Sequence, residues 1–170
     1  MNRLIGEVLT LARFEAGGHA VETVHLGELL GDLVEDARFE AAARAVVVDY
    51  PHAPDLRVRA NGELLQRAME NVLRNALRFS PTGGLVRVEL LAHGAERCQV
   101  VILDRGPGVP EEELESIFTP FFRGSGQGAG YGLGLAIARR VLTAASGQIR
   151  AQNRDGGGLR VKIELPLAGP

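Results

Sequence analysis

Apolar residues at Leu4, Ile5, Val8, Leu9, Leu11 and Ala12 of MNRLIGEVLTLARFEAG recur at helical spacing, and Gly17-Gly18 closes the run. No capping residue precedes this helix, as expected for the tail of a longer one. VETVHL (21–26) alternates like a strand, and LGELLGDLVEDARFEAAARA (26–45) is a second amphipathic helix. AVVVDY (45–50) and LRVRA (56–60) read as strands on either side of a Pro-rich turn. A third helix spans 61–80, and Pro81 stops it. LVRVELLA (85–92) and RCQVVILD (97–104) read as an antiparallel pair. After an irregular stretch, 105–131, a fourth helix covers 133–146 and ends at Gly147. QIRAQNR (148–154) and LRVKIELP (159–166) form a last hairpin through DGGG. This order predicts an α+β two-layer sandwich rather than alternating βαβ units. A boundary is expected near Gly17, which separates residues 1–17 from a domain over 18–170.

With 170 residues, 45% hydrophobic and 24% charged, the chain suits one globular domain. The formal net charge of −2 gives no nucleic-acid footprint. The apolar runs are too short for a membrane span, and no signal peptide is visible. Cys98, the single cysteine, lies in a strand pattern and reads as a buried thiol. Lys162 is the single lysine beside 18 arginines, which eliminates chemistry that needs a lysine elsewhere.

Glycine occupies every second position from Gly124 to Gly134, directly before the fourth helix. Such a tract is either mobile or lies against something that needs bare backbone. A helix N-terminus behind it would favour an anion. The Gly-Lys-Ser/Thr of a P-loop is absent, as is the strand lysine of a protein kinase. The glycines also miss the G-x-G-x-x-G spacing that follows a strand in dinucleotide-binding folds.

On the third helix, Asn71, Asn75 and Arg78 share one face beside an apolar face of Leu65, Met69, Val72 and Ala76. Asparagine is a poor interior helix residue, about 0.5–0.7 kcal/mol worse than alanine. These two are either solvated or used, and an amide oxygen is a hard ligand that suits Mg²⁺. DRGPG (104–108) follows an apolar strand. Asp104 there is either a turn aspartate or an acceptor for the amino group of adenine. Gly106 and Gly108 would let backbone lie flat against a base.

Taken together and in this order, the segments resemble the ATP-binding domain of sensor histidine kinases. ENVLRNALRFS resembles the N box, DRGPGVP the first glycine box, IFTPFFRG the F box and GYGLGLAI the second glycine box. The resemblance runs from about 19 to 167. It implies a mixed sheet on three helices, with ATP between the N-box helix and a mobile lid. It further implies that Asn75 holds Mg²⁺, that Asn71 orients phosphates and metal, that Asp104 binds adenine and that Arg78 reaches phosphate. Phe79 takes a position that is often tyrosine. Phe118 and Phe122 would anchor the lid, and Gly132, Leu133, Gly134 and Leu135 would flank the phosphates. Residues 1–17 resemble the end of the second dimerisation helix.

ATP-hydrolysing relatives carry a glutamate where this helix has Asn71, and an amide cannot serve as a base. Glu70 lies about 100° around the helix. The pattern therefore favours holding ATP for transfer to a histidine rather than hydrolysing it. His19, His25, His52 and His93 lack the acidic residue that follows a phosphoacceptor histidine. The acceptor is expected on a dimerisation and histidine-phosphotransfer segment outside this chain, with a response-regulator receiver domain downstream. The resemblance also implies a homodimeric parent anchored in the bacterial inner membrane, with this domain cytoplasmic. The present chain would be a monomer, or a weak dimer through residues 1–17. An anti-sigma-type serine kinase shares the fold but would lack the N-terminal helix. A scaffold without catalysis would show broken boxes.

Overall fold

The computed structural model describes residues 2–124, 130 and 132–170. Their order is α1 (Asn2–Ala16), β1 (Glu22–His25), α2 (Leu26–Ala41), β2 (Val47–Asp49), β3 (Arg57–Ala60), α3 (Gly62–Phe79), β4 (Leu85–His93), β5 (Arg97–Leu103), α4 (Gly134–Ala144), β6 (Gln148–Asn153) and β7 (Leu159–Pro166). Every element read from the sequence is present. The second helix is shorter than its apolar pattern, since α2 stops at Ala41 and a 3₁₀ turn follows over Ala42–Arg44. The cause is tertiary. Arg44 donates to the carbonyls of Leu77 and Ser80, covering the open C-terminus of α3.

Five strands make one mixed sheet in the order β2-β4-β5-β7-β6. β2 runs parallel to β4, and the other neighbours are antiparallel. β1 and β3 pair antiparallel in a separate two-stranded ribbon. Thus β2 and β3, adjacent in sequence, belong to different sheets. A parallel partner for β2 needs a crossover, and β3 with α3 supplies it.

β4 and β7 alternate as a half-buried sheet should, while β5 buries Val100, Val101 and Ile102 in succession. Val86, Val88 and Leu90 of β4, Val100 and Ile102 of β5, and Val161, Ile163 and Leu165 of β7 turn inward. They meet Leu30 and Val34 of α2, Leu65, Met69 and Val72 of α3, and Ile137 and Leu142 of α4 in one core cluster. Each such side chain, fully buried, contributes about 1.5–3 kcal/mol. Arg87 on the outer face reaches Asp49 at 3.1 Å and Glu89 at 2.8 Å. Cys98 is buried as expected, and burial pushes its thiol up to about 11.

α1 lies against this domain. Leu4, Leu11 and Phe14 pack on the core, and Glu15 meets Arg140 of α4 at 2.8 Å. Its other apolar stripe stays open, with Ile5, Val8 and Leu9 about half exposed. Among the described residues no helix is long and apolar enough to cross a membrane.

Candidate functional site

α3 starts cleanly because Asn61 caps it, accepting a hydrogen bond from the Leu64 N–H at 3.0 Å. Its apolar face is buried, which leaves Asn71 and Asn75 half-buried at the rim. They open onto a cleft of about 600 Å³ between α3, the loop after β5 and the segment before α4. Asn71, Asn75, Arg78, Phe79, Asp104, Gly108, Phe122, Gly132, Leu133, Gly134 and Leu135 all line it. Two expected residues do not. Phe118 is buried in the core beneath Arg139, whose guanidinium carbon sits 5.6 Å from the ring centroid. Gly106 faces the α3 C-terminus, where an added Cβ would stand 2.7 Å from the Phe79 carbonyl oxygen.

Asp104 is 3% exposed. Its Oδ1 accepts hydrogen bonds from the N–H groups of Gly106 at 2.8 Å and Leu159 at 3.0 Å. Burial raises its pKa, while those N–H groups and the charge of Arg154 oppose the rise. Arg154 also donates to the Asp104 carbonyl. The loop beyond is clasped by Asn153, which donates to the Val109 carbonyl at 2.6 Å and accepts from the Val109 N–H at 2.9 Å. Asn153, Arg154 and Leu159 escaped the sequence reading. They lie about fifty residues from the loop they hold, and no local pattern marks them.

The glycines divide by cause. Gly108 has φ +74, and a Cβ there would sit 2.6 Å from Asn153 Oδ1. Gly132 has φ +71, and a Cβ would press on the backbone of Phe121 and Phe122. The fold itself requires glycine at both positions. Gly134 differs, since a Cβ would meet only Asn71, at 3.6 Å, an ordinary contact. Here the chain has room for a side chain and leaves it out. Ser125–Ala129 and Tyr131, where the mobile part of the lid was expected, lie outside the described residues.

Asn71 donates its amide to the Gly134 carbonyl at 3.1 Å, tying α3 to the start of α4. Arg78 lies over the Phe79 ring at 5.1 Å. Burial, then the charges of Arg3 and Arg123, pull its pKa below the ordinary guanidinium value. Glu70 pairs with Arg74 at 3.1 Å and does not line the cleft. Other carboxylates do, and no motif marks them: Glu7 faces Arg3, Glu40 faces Arg74, and Glu113 sits beside Gly124.

Residues 60–169 match the family model described as histidine kinase-, DNA gyrase B- and HSP90-like ATPase. The chain belongs to this ATPase family. Within the family it is similar to sensor histidine kinases. The signal transduction histidine-protein kinase/phosphatase MprB of Mycobacterium sp. (strain KMS) is 34% identical over 93% of this chain. A solved mycobacterial MprB structure superposes with TM-score 0.81 at 31% identity, over 89% of this chain and all of that one. Full-length ShkA, solved in complex with AMPPNP, gives 0.83 at 27% identity, over 99% of this chain and 36% of that one. The chain spans less than a third of the length of the curated relatives it matches, 30% for MprB. The architecture is that of a histidine-kinase catalytic domain, a mixed sheet covered by helices.

Proposed function

We propose that this chain binds ATP with Mg²⁺ and presents the γ-phosphoryl to a histidine in the parent protein, which passes it to a response-regulator aspartate. The observation that carries this reading is the cleft itself, which gathers Asn75, Arg78, Asp104 and Gly134 from three separated segments. AMPPNP in the ShkA structure supports the ligand class. The residues present fit a hydrated metal. Asn75 offers a half-buried amide oxygen on the cleft wall, and among the described residues no cluster of acidic, His or Cys side chains would hold a metal alone. Bound Mg²⁺ would offset phosphate charge while keeping several waters.

Asp104 accepts the adenine amino group, and Arg78 contacts phosphate as a fork of donors. Gly134 lets the α4 N-terminus approach the phosphate chain, and Asn71 holds that N-terminus at its working distance. Catalysis on this plan is positioning and charge stabilisation. The histidine comes from elsewhere in the parent. His19 is bonded to the Arg13 carbonyl, His25 to Asp55, and neither His52 nor His93 lines the cleft. We assign residues 1–17 to the end of a dimerisation helix and 18–170 to the catalytic domain. The parent is a homodimer held at the bacterial inner membrane, with this domain on its cytoplasmic side.

Calorimetric titration with a non-hydrolysable ATP analogue, with and without Mg²⁺ and against the GTP analogue, tests the reading. Adenine-selective, Mg²⁺-dependent binding that is lost in Asn75→Ala supports it. No binding of either nucleotide would refute it.

A further inference from the structure

Arg3 lies far in sequence from every motif above, yet with Glu7 it lines the cleft beside Asn71, Asn75 and Arg78. Its Nε is 3.4 Å from Glu7 Oε1, and its side chain is 61% exposed. Glu7 is itself buried against the domain. The helix that carries both is fixed at several points. Leu4, Leu11 and Phe14 pack on the core, Arg67 of α3 donates to the Gly6 carbonyl at 3.5 Å, and Glu15 meets Arg140. Arg3 is thus held at the rim by a docked helix.

The charges explain what it could do there. A bare Glu7 carboxylate on this wall would repel a polyphosphate, and Arg3 offsets it. A guanidinium carries five N–H donors in a planar fork. With Nε turned to Glu7, the terminal nitrogens remain for phosphate oxygens, which arginine binds strongly. Arg78 and Arg123 line the same cleft, so Arg3 brings a further guanidinium to a wall that also carries Glu7, Glu40 and Glu113.

We propose that Arg3 contacts the phosphate tail of the bound nucleotide, so that α1, outside the catalytic domain proper, supplies a residue to its site. This rests on the nucleotide reading of the cleft. Linkage then works both ways: nucleotide favours the docked position of α1, and whatever draws α1 away loosens the nucleotide by the same factor. The helix of the dimerisation segment would thereby report its position to the ATP site.

The test is calorimetry on the whole chain with AMP, ADP and a non-hydrolysable ATP analogue, all with Mg²⁺, for the parent, Arg3→Ala and Arg3→Lys. Arg3→Ala is expected to weaken the ATP analogue about five- to tenfold, ADP less and AMP least. Arg3→Lys should recover part of the loss, because it restores charge without the fork. Unchanged binding in Arg3→Ala overturns the inference. So does an equal loss for AMP and the ATP analogue, which would make Arg3 a structural support. If the parent binds none of the three, the nucleotide reading falls first and this inference with it.

Discussion

Asp104→Asn separates what the fold needs from what the proposed base recognition needs. The Asp104 carboxylate is almost fully buried, and its Oδ1 holds two backbone N–H groups, those of Gly106 and Leu159. Burial lifts its folded-state pKa above the ordinary 3.8. The folded protein therefore binds the proton more tightly than the unfolded chain. Stability falls as pH rises through the window from 3.8 to the raised value, and the full cost is present above it. An amide brings no charge to desolvate, and its oxygen can keep both N–H bonds. The variant should melt at or above the parent's temperature at neutral pH and lose this part of the pH dependence. Binding should move the other way. With the amide oxygen retained by Gly106 and Leu159, the NH₂ group faces the adenine amino group, donor against donor. A lost hydrogen bond to a charged acceptor is worth about 1.5–3 kcal/mol, or roughly 10- to 150-fold in affinity. Thermal melting across pH and calorimetry with the ATP analogue read the two effects separately. Unchanged affinity would refute the base-acceptor role, and a large drop in melting temperature would refute the burial argument.

Gly134→Ala should leave the melting temperature unchanged or slightly raised, because the position is sterically open and alanine is the better helix former. It should weaken the ATP analogue in the same calorimetric assay; undiminished binding would show that no ligand uses that space. Asn153→Ala strips both Val109 backbone groups of their partner and is expected to cost about 1–3 kcal/mol, lowering the melting temperature by roughly 2–10 °C. Scanning calorimetry checks it, and an unchanged transition would mean the clasp contributes nothing. Incubation of the chain with γ-labelled ATP should yield no acid-labile phosphohistidine, and label on any of its four histidines would contradict the placement of the acceptor elsewhere.

Local order was legible in the sequence because local order has local causes. The helices follow from a 3.6-residue apolar period, the strands from a 2-residue one, and their ends from Gly17, Pro81 and Gly147. That Asn71, Asn75 and Arg78 share one face was legible too, since helix geometry alone sets it. What tertiary structure decided is which of these pieces meet. β2 pairs with β4 and leaves its neighbour β3 to β1, because burying one face of the sheet settles pairing, and that face exists only in the folded molecule. The same holds for the supports of the cleft. Leu159 and Arg154 grip Asp104, Asn153 clasps Val109, Arg44 closes α3, and Arg3 arrives from α1. The first four each act on a residue at least thirty positions away, and Arg3 reaches a cleft lined by α3. A backbone group has no preference for a distant side chain until packing brings the two together, so no spacing along the chain could announce these contacts.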